Sequence, residues 1–180
     1  MPDFNQAHKF VARWEGLYSN DPLDPGGETL HGITRRDFPD WPGWEIWDRD
    51  KKDGPEIIAH RDALYQSQFW TPLRAQEYPT RRLAIIVYQA AVNCGVRRVS
   101  RWLQSTLNTV AGADLMVDGR IGEATIRALR KAFEDGFIKI VEDTVLNHQQ
   151  RHYTSLVDRN PKLGRFLRGW MNRIRAAEKL

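Results

Sequence analysis

The stretch WEGLYSNDPLDPGGETLHGIT, Trp14 to Thr34, decides how this chain is read. Upstream of it, Phe4, Ala7, Phe10, Val11, Trp14 and Leu17 recur at helical spacing. Asp3 as N-cap with Gln6 three residues on resembles a capping box. Inside the stretch the helical period stops. Gly16 is a suitable exit, two Asp-Pro pairs and a Pro-Gly-Gly mark turns, and a small β-hairpin is predicted between Tyr18 and Ile33. A lone glutamate, Glu15, therefore stands at the end of the first helix, followed at once by a polar loop that folds back.

That position has chemical consequences. The C-terminal end of a helix is the negative pole of its macrodipole, so a carboxylate there is disfavoured. Trp14 and Leu17 further reduce its hydration. Both effects raise a carboxyl pKa and keep a proton available for donation. Asp24 lies in a polar turn where it stays ionised, and the hydroxyl of Thr29 is suited to orienting a water. Such a set matches the two-carboxylate logic of glycoside hydrolysis. The alternative is plain: Asp21, Asp24 and Glu28 can equally be turn residues that cap their own backbone.

Outward from this stretch the chain reads as helices. Thr34 is placed to cap a short helical piece ended by Pro39, and residues 40–54 read as irregular and aromatic. Pro55 suits the first turn of a helix whose stripe includes Ile57, Leu64 and Tyr65. Further helices are predicted over about 80–94, 96–110, 123–134, 136–158 and 162–178, with Pro161 separating the last two. The expected fold is mainly α: about seven helices, with one small β-hairpin after the first. Two lobes are expected, 1–75 and 76–180, packed as one compact unit. Trp41, Trp44, Trp47 and Trp70 are read as core, with stacking on sugar rings as the alternative.

Composition narrows the function classes. The hydrophobic fraction is 41% with seven tryptophans, which indicates a folded protein. No apolar run is long enough to span a bilayer, and no classical signal pattern opens the chain. A single cysteine, Cys94, excludes an internal disulfide and reads as a buried thiol. The five histidines form no metal-ligand cluster, and His148 with His152 lacks a third ligand, so no metal is expected. Net charge is −5 over residues 1–60, +3 over 61–158 and +6 over 159–180. The basic end suggests an anionic surface as partner, with a solvated helix face as the alternative.

The motif EGLYSNDPLDPGGETLHGIT resembles the signature of the N-acetylmuramidases of glycoside hydrolase family 108, which includes phage endolysins and secretion activator proteins. The likeness is carried by Glu15, Gly16, Tyr18, Asn20, Asp21, Pro22, Asp24, Gly26, Gly27, Thr29, Gly32 and Ile33. It implies that Glu15 is the catalytic glutamate and that the fold is lysozyme-like. The Glu–Asp–Thr order is also similar to the catalytic set of phage-type lysozymes, which implies roles for Asp24 and Thr29. Leu17 replaces the family's second glycine, and His31 stands where an aromatic is usual. Tyr18 and His31, beside the acid, are candidate substrate contacts.

In the second half, WLQSTLN followed by VDGRIGEATIRAL resembles the pattern of peptidoglycan-binding modules, carried by Leu103, Gln104, Leu107, Asn108, Val117, Asp118, Gly119, Gly122, Thr125, Ala128 and Leu129. AVNCG resembles another family motif and makes Asn93 a candidate for the floor of a glycan cleft, or else a buried amide joining two helices. The resemblances together imply a monomeric muramidase that cleaves the β-1,4 bond between N-acetylmuramic acid and N-acetylglucosamine, with no cofactor. It would be made in the cytoplasm and reach the wall by holin-type release or dedicated export. A lytic transglycosylase, a non-catalytic wall-binding module and a nucleic-acid binder are the competing readings. The last has only the charge behind it, with no DNA-binding motif.

Overall fold

The structure, a computed structural model, describes residues 1–20 and 27–180. Among these are eight α-helices and one three-stranded antiparallel sheet, so the chain is mainly α as expected. It divides into two compact units. One is His8–Gln68; the other combines Met1–Ala7 with Phe69–Leu180. No helix among the described residues is long and apolar enough to cross a membrane.

Helix α1, Phe4–Ala12, begins as the sequence predicts: the Gln6 amide donates to Asp3 Oδ1 at 3.0 Å. The Gln6 side chain does not complete a capping box. It accepts from Arg81 instead, at 3.0 Å. The helix also stops earlier than expected. The Trp14 amide reaches back three residues to the Val11 carbonyl (2.9 Å), which tightens the chain out of the α-helix. Glu15 therefore stands in the turn after α1 and not in its last turn.

The sheet that follows consists of β1 (Tyr18–Ser19), β2 (Thr29–Leu30) and β3 (Ile33–Thr34), in that spatial order. Leu30 pairs with Ile33, so only His31 and Gly32 connect β2 to β3. Both have positive φ, +51° and +78°. That is the type I′ hairpin turn, whose twist matches the strands it joins. Leu30 and Ile33 are buried beneath it and fix the register.

Two local expectations are corrected. Thr34 caps no helix; it lies in β3, and its hydroxyl accepts the Asp37 amide at 3.2 Å to close a turn. The stretch read as irregular contains helix α2, Gly43–Asp50. Trp44 and Trp47, three apart and both buried, supply its inner face. Lys51 ends it in the left-handed region, donating to the Trp47 carbonyl at 2.8 Å. Helix α3 (Pro55–Tyr65) continues into a π-helical turn, Gln66–Trp70. Trp41, Trp44, Trp47 and Trp70 are all buried, so the core reading of these tryptophans holds.

The larger unit is built around α4, Arg81–Cys94, which is buried on nearly every face. Thr80 caps it, accepting the Leu83 amide at 3.1 Å. Helices α5 (Val96–Ala111) and α7 (Ile138–Arg159) pack against it. Helix α8 (Gly164–Glu178) lies on α7, and α6 (Glu123–Glu134) on α5. In this core Gln89 and Gln149 exchange amide hydrogen bonds of 2.7 and 3.2 Å, so neither buried amide is stranded. Cys94 is buried here, and burial pushes its thiol up to about 11.

The VDG turn is a structural joint. Gln104, 2% exposed, accepts the Gly119 amide at 2.8 Å and donates to Asp118 Oδ1 and to the Arg120 carbonyl. Gly119 holds φ +80°. Gln104→Leu would leave a buried N–H without a partner, at a cost of about 2 kcal/mol. Urea denaturation should show a lower midpoint at unchanged slope; an unchanged midpoint would contradict the joint.

Candidate active site

The smaller unit brings Glu15 against the head of the β2–β3 hairpin. A β-carbon placed on Gly32 would lie 2.6 Å from Glu15 Oε2, 3.1 Å from Glu15 Cδ and 2.6 Å from the Tyr65 hydroxyl oxygen. Three groups thus converge on one point: the half-buried Glu15 carboxyl, the bare α-carbon of Gly32 and the buried phenol of Tyr65. Only glycine permits this approach. Tyr65 donates to the His31 carbonyl at 3.0 Å, which ties α3 to the turn. The His31 ring is held as well, with Nε2 at 2.9 Å from Asp53 Oδ1. The carboxyl therefore faces a turn fixed from two sides.

Behind Tyr65 sits His8, 4% exposed, its ring centroid 4.7 Å from that of the phenol and its Nε2 3.2 Å from Asp62 Oδ1. Burial pulls the imidazole down to about 4, although Asp62 acts in the opposite direction. In the unfolded chain His8 titrates near the ordinary 6.5, so the unfolded state takes up its proton first as pH falls. The stability supplied by a neutral His8 is therefore complete above pH 6.5 and declines down to about pH 4. The loss is on the order of 3 kcal/mol. Urea titrations of wild type and His8→Phe should diverge over that window; parallel curves would contradict the assignment.

The hairpin is also braced from its outer side. Arg35 donates to Glu28 Oε2 at 2.5 Å and through both terminal nitrogens to Asp48 at 2.9 and 3.0 Å, while its guanidinium lies 4.3 Å from the Trp44 ring centroid. Tyr18, in β1, is exposed at 42%; its hydroxyl donates to Glu28 at 3.1 Å and its ring packs on Trp47 at 4.7 Å. Thr29 pairs across the sheet with Ser19 and Thr34, and its hydroxyl donates to the Gly27 carbonyl at 3.0 Å. Leu17, where the family has glycine, does not take up positive φ; its carbonyl accepts the His31 amide at 2.7 Å. The substitution is therefore free of backbone strain.

Of the residues singled out from sequence, Glu15, Tyr18, Thr29 and His31 gather in this unit. Asp24 lies outside the described residues. Asn93 belongs to the larger unit, in α4, where it donates to the Gln89 carbonyl at 2.7 Å and accepts from Arg173 of α8. Its amide is thus used to join two helices. His148 and His152 flank the Trp102 ring. A cavity of about 590 Å³ in the smaller unit, lined by Phe38, Trp41, His60, Leu64 and Gln68 among others, does not include Glu15.

Sequence reasoning missed Tyr65 and His8 as parts of the site. Tyr65 was legible only as a member of an apolar stripe. His8 lies four residues after Phe4 and three before Val11, which places it on the buried face of α1. That spacing was the available signal.

Comparisons with known proteins agree with this architecture. Residues 8–95 match the family model Glycosyl hydrolase 108, and residues 98–175 match a Predicted Peptidoglycan domain. Among solved structures, Brucella abortus SagA aligns with a TM-score of 0.65 at 22% identity, covering 98% of this chain and 91% of that one. That likeness speaks for the fold. No match was found among curated protein sequences. The hydrolase match brackets the carboxyl, the hairpin and α3, so the chain carries a glycosyl hydrolase 108 region over residues 8–95, followed by a predicted peptidoglycan domain.

Proposed function

We propose that this chain is an N-acetylmuramidase that hydrolyses the β-1,4 bond between N-acetylmuramic acid and N-acetylglucosamine in peptidoglycan. The observation that carries the proposal is the seating of the Glu15 carboxyl on the Gly32 turn, beside the Tyr65 hydroxyl. Glu15 donates its proton to the glycosidic oxygen as the bond to the sugar breaks. The anomeric carbon then carries developing positive charge. Asp24 stabilises that charge or, with Thr29, directs the incoming water. The Thr29 hydroxyl spends its hydrogen on Gly27, which leaves its oxygen to accept a hydrogen from water. A water held in this way favours inversion of the anomeric centre.

Tyr18 and His31 are the proposed glycan contacts. Tyr18 presents an exposed aromatic face next to the acid in sequence. His31 presents an imidazole whose orientation Asp53 fixes. The predicted peptidoglycan domain supports the same polymer as substrate. Delivery to the wall by holin-type release or dedicated export belongs to this reading.

Mass spectrometry of digested peptidoglycan tests it. New ends should be reducing N-acetylmuramic acid. Anhydro ends would instead indicate a lytic transglycosylase, in which the same acid acts without water. Free stem peptides would contradict a glycosidase altogether.

A further inference from the structure

The larger unit has a second concave feature, about 380 Å³, at the start of α5. Its walls include Arg97, Arg98, Arg101 and Trp102. Among the described residues none of the three arginines has a carboxylate partner: Arg97 and Arg101 are exposed, and Arg98 donates only to the Cys94 carbonyl and to His152 Nε2, each at 3.1 Å. Clustered guanidinium groups with no counter-charge repel one another, so the fold holds positive charge here without compensation.

The arrangement is built. A β-carbon on Gly119 would come within 2.7 Å of both Arg97 Cγ and the Arg97 carbonyl, and within 3.2 Å of Arg101 Cγ. The stems of Arg97 and Arg101 thus rest on the VDG turn, which Gln104 clamps from beneath. Trp102 is fixed by a parallel stack with His148, interplanar angle 9°. His152 accepts from Arg98, and burial, then Arg98 and Arg159, pull its pKa below the ordinary value. Asp118 of the same turn is engaged by Gln104 and the Arg120 amide.

We propose that this groove seats a free carboxylate of a peptidoglycan stem peptide, with small apolar side chains of the peptide against Trp102. The inference rests on peptidoglycan being the substrate. In intact wall the carboxyl of muramic acid is tied up in an amide bond to the peptide, so the anionic carboxylates belong to the peptide. Planar guanidinium forks match carboxylates in paired hydrogen bonds. The volume of this open groove lies at the lower end of small-ligand sites and suits a short peptide end. The arginines lie within or beside the predicted peptidoglycan domain, residues 98–175.

Isothermal titration of the full-length protein with a synthetic stem tetrapeptide, free or fully amidated at its carboxylates, tests the proposal. The free peptide should bind, and amidation should weaken it about ten-fold or more. The double variant Arg97→Gln/Arg101→Gln should show the same loss at an unchanged thermal midpoint, since both side chains are exposed. Equal binding by the double variant, or no binding of the free peptide, would overturn it. So would inorganic phosphate binding as tightly as the peptide, which would give the groove to phosphate. The probe contains no glycosidic bond, so failure here leaves the hydrolytic reading standing, and anhydro or uncut glycan in the digest leaves this binding unmoved.

Discussion

Glu15→Gln is expected to lower kcat on purified peptidoglycan about 10³-fold, which corresponds to about 4 kcal/mol of lost transition-state stabilisation. The substitution is nearly isosteric, so the contact with Gly32 and Tyr65 persists. What disappears is the transferable proton. The glycosidic oxygen then leaves as an alkoxide, and the neighbouring Tyr65 hydroxyl, whose hydrogen goes to the His31 carbonyl, does not replace the lost donor. Binding to whole sacculi and the thermal midpoint should stay at wild-type values, because neither requires the proton. Reducing-end release measures the rate, and sedimentation with sacculi measures the binding. A variant within three-fold of wild type would remove Glu15 from the chemistry.

Gly32→Ala is the second large effect. Two costs combine. At φ +78° an L-residue is strained by roughly 1–2 kcal/mol. The new methyl would also overlap Glu15 Oε2 and the Tyr65 oxygen, both 2.6 Å away. The carboxyl, the phenol or the turn has to move, and a misplacement of about 1 Å at a reacting group costs on the order of 100-fold in rate. Activity should therefore fall about 100-fold, with a lowered thermal midpoint. Gly16 provides the control. It adjoins Glu15, yet a β-carbon there meets nothing within 4 Å among the described residues and its φ is not positive. Gly16→Ala should keep activity within a few-fold. Equal damage at both positions would mean that the motif's glycines act through chain flexibility and not through the close approach at Gly32.

Much of this was legible in the amino-acid order, and the reasons differ by region. Helices with a clear apolar period and a recognisable end were found closely. Glu123–Glu134 falls where it was placed, and the helix expected over about 80–94 is found at Arg81–Cys94. Helix α2 was missed because Trp41, Trp44 and Trp47 crowd one stretch, so their three-residue spacing reads as general aromatic density. The early end of α1 was missed because Trp14 and Leu17 continue the apolar rhythm past the point where the backbone has turned. Periodicity records which side chains are buried and not which backbone bonds close.

The site divides along the same line. Glu15 and the hairpin are contiguous in sequence and were visible through turn chemistry. Tyr65 reaches the hairpin across 34 positions, and no local pattern marks such a contact. Asn93 shows the converse. A polar residue in a recognisable motif turned out to be held by Gln89 and Arg173 within its own unit.

The central claim is that Glu15 hands a proton to the departing oxygen. The most direct test compares Glu15→Gln with wild type on two oligosaccharides that differ only in the leaving group: a natural sugar alcohol, and a dinitrophenolate that departs without protonation. The deficit in kcat/KM should be about 10³-fold on the first and close to none on the second. The same deficit on both substrates would contradict the claim, because it would show that Glu15 serves something other than the leaving group.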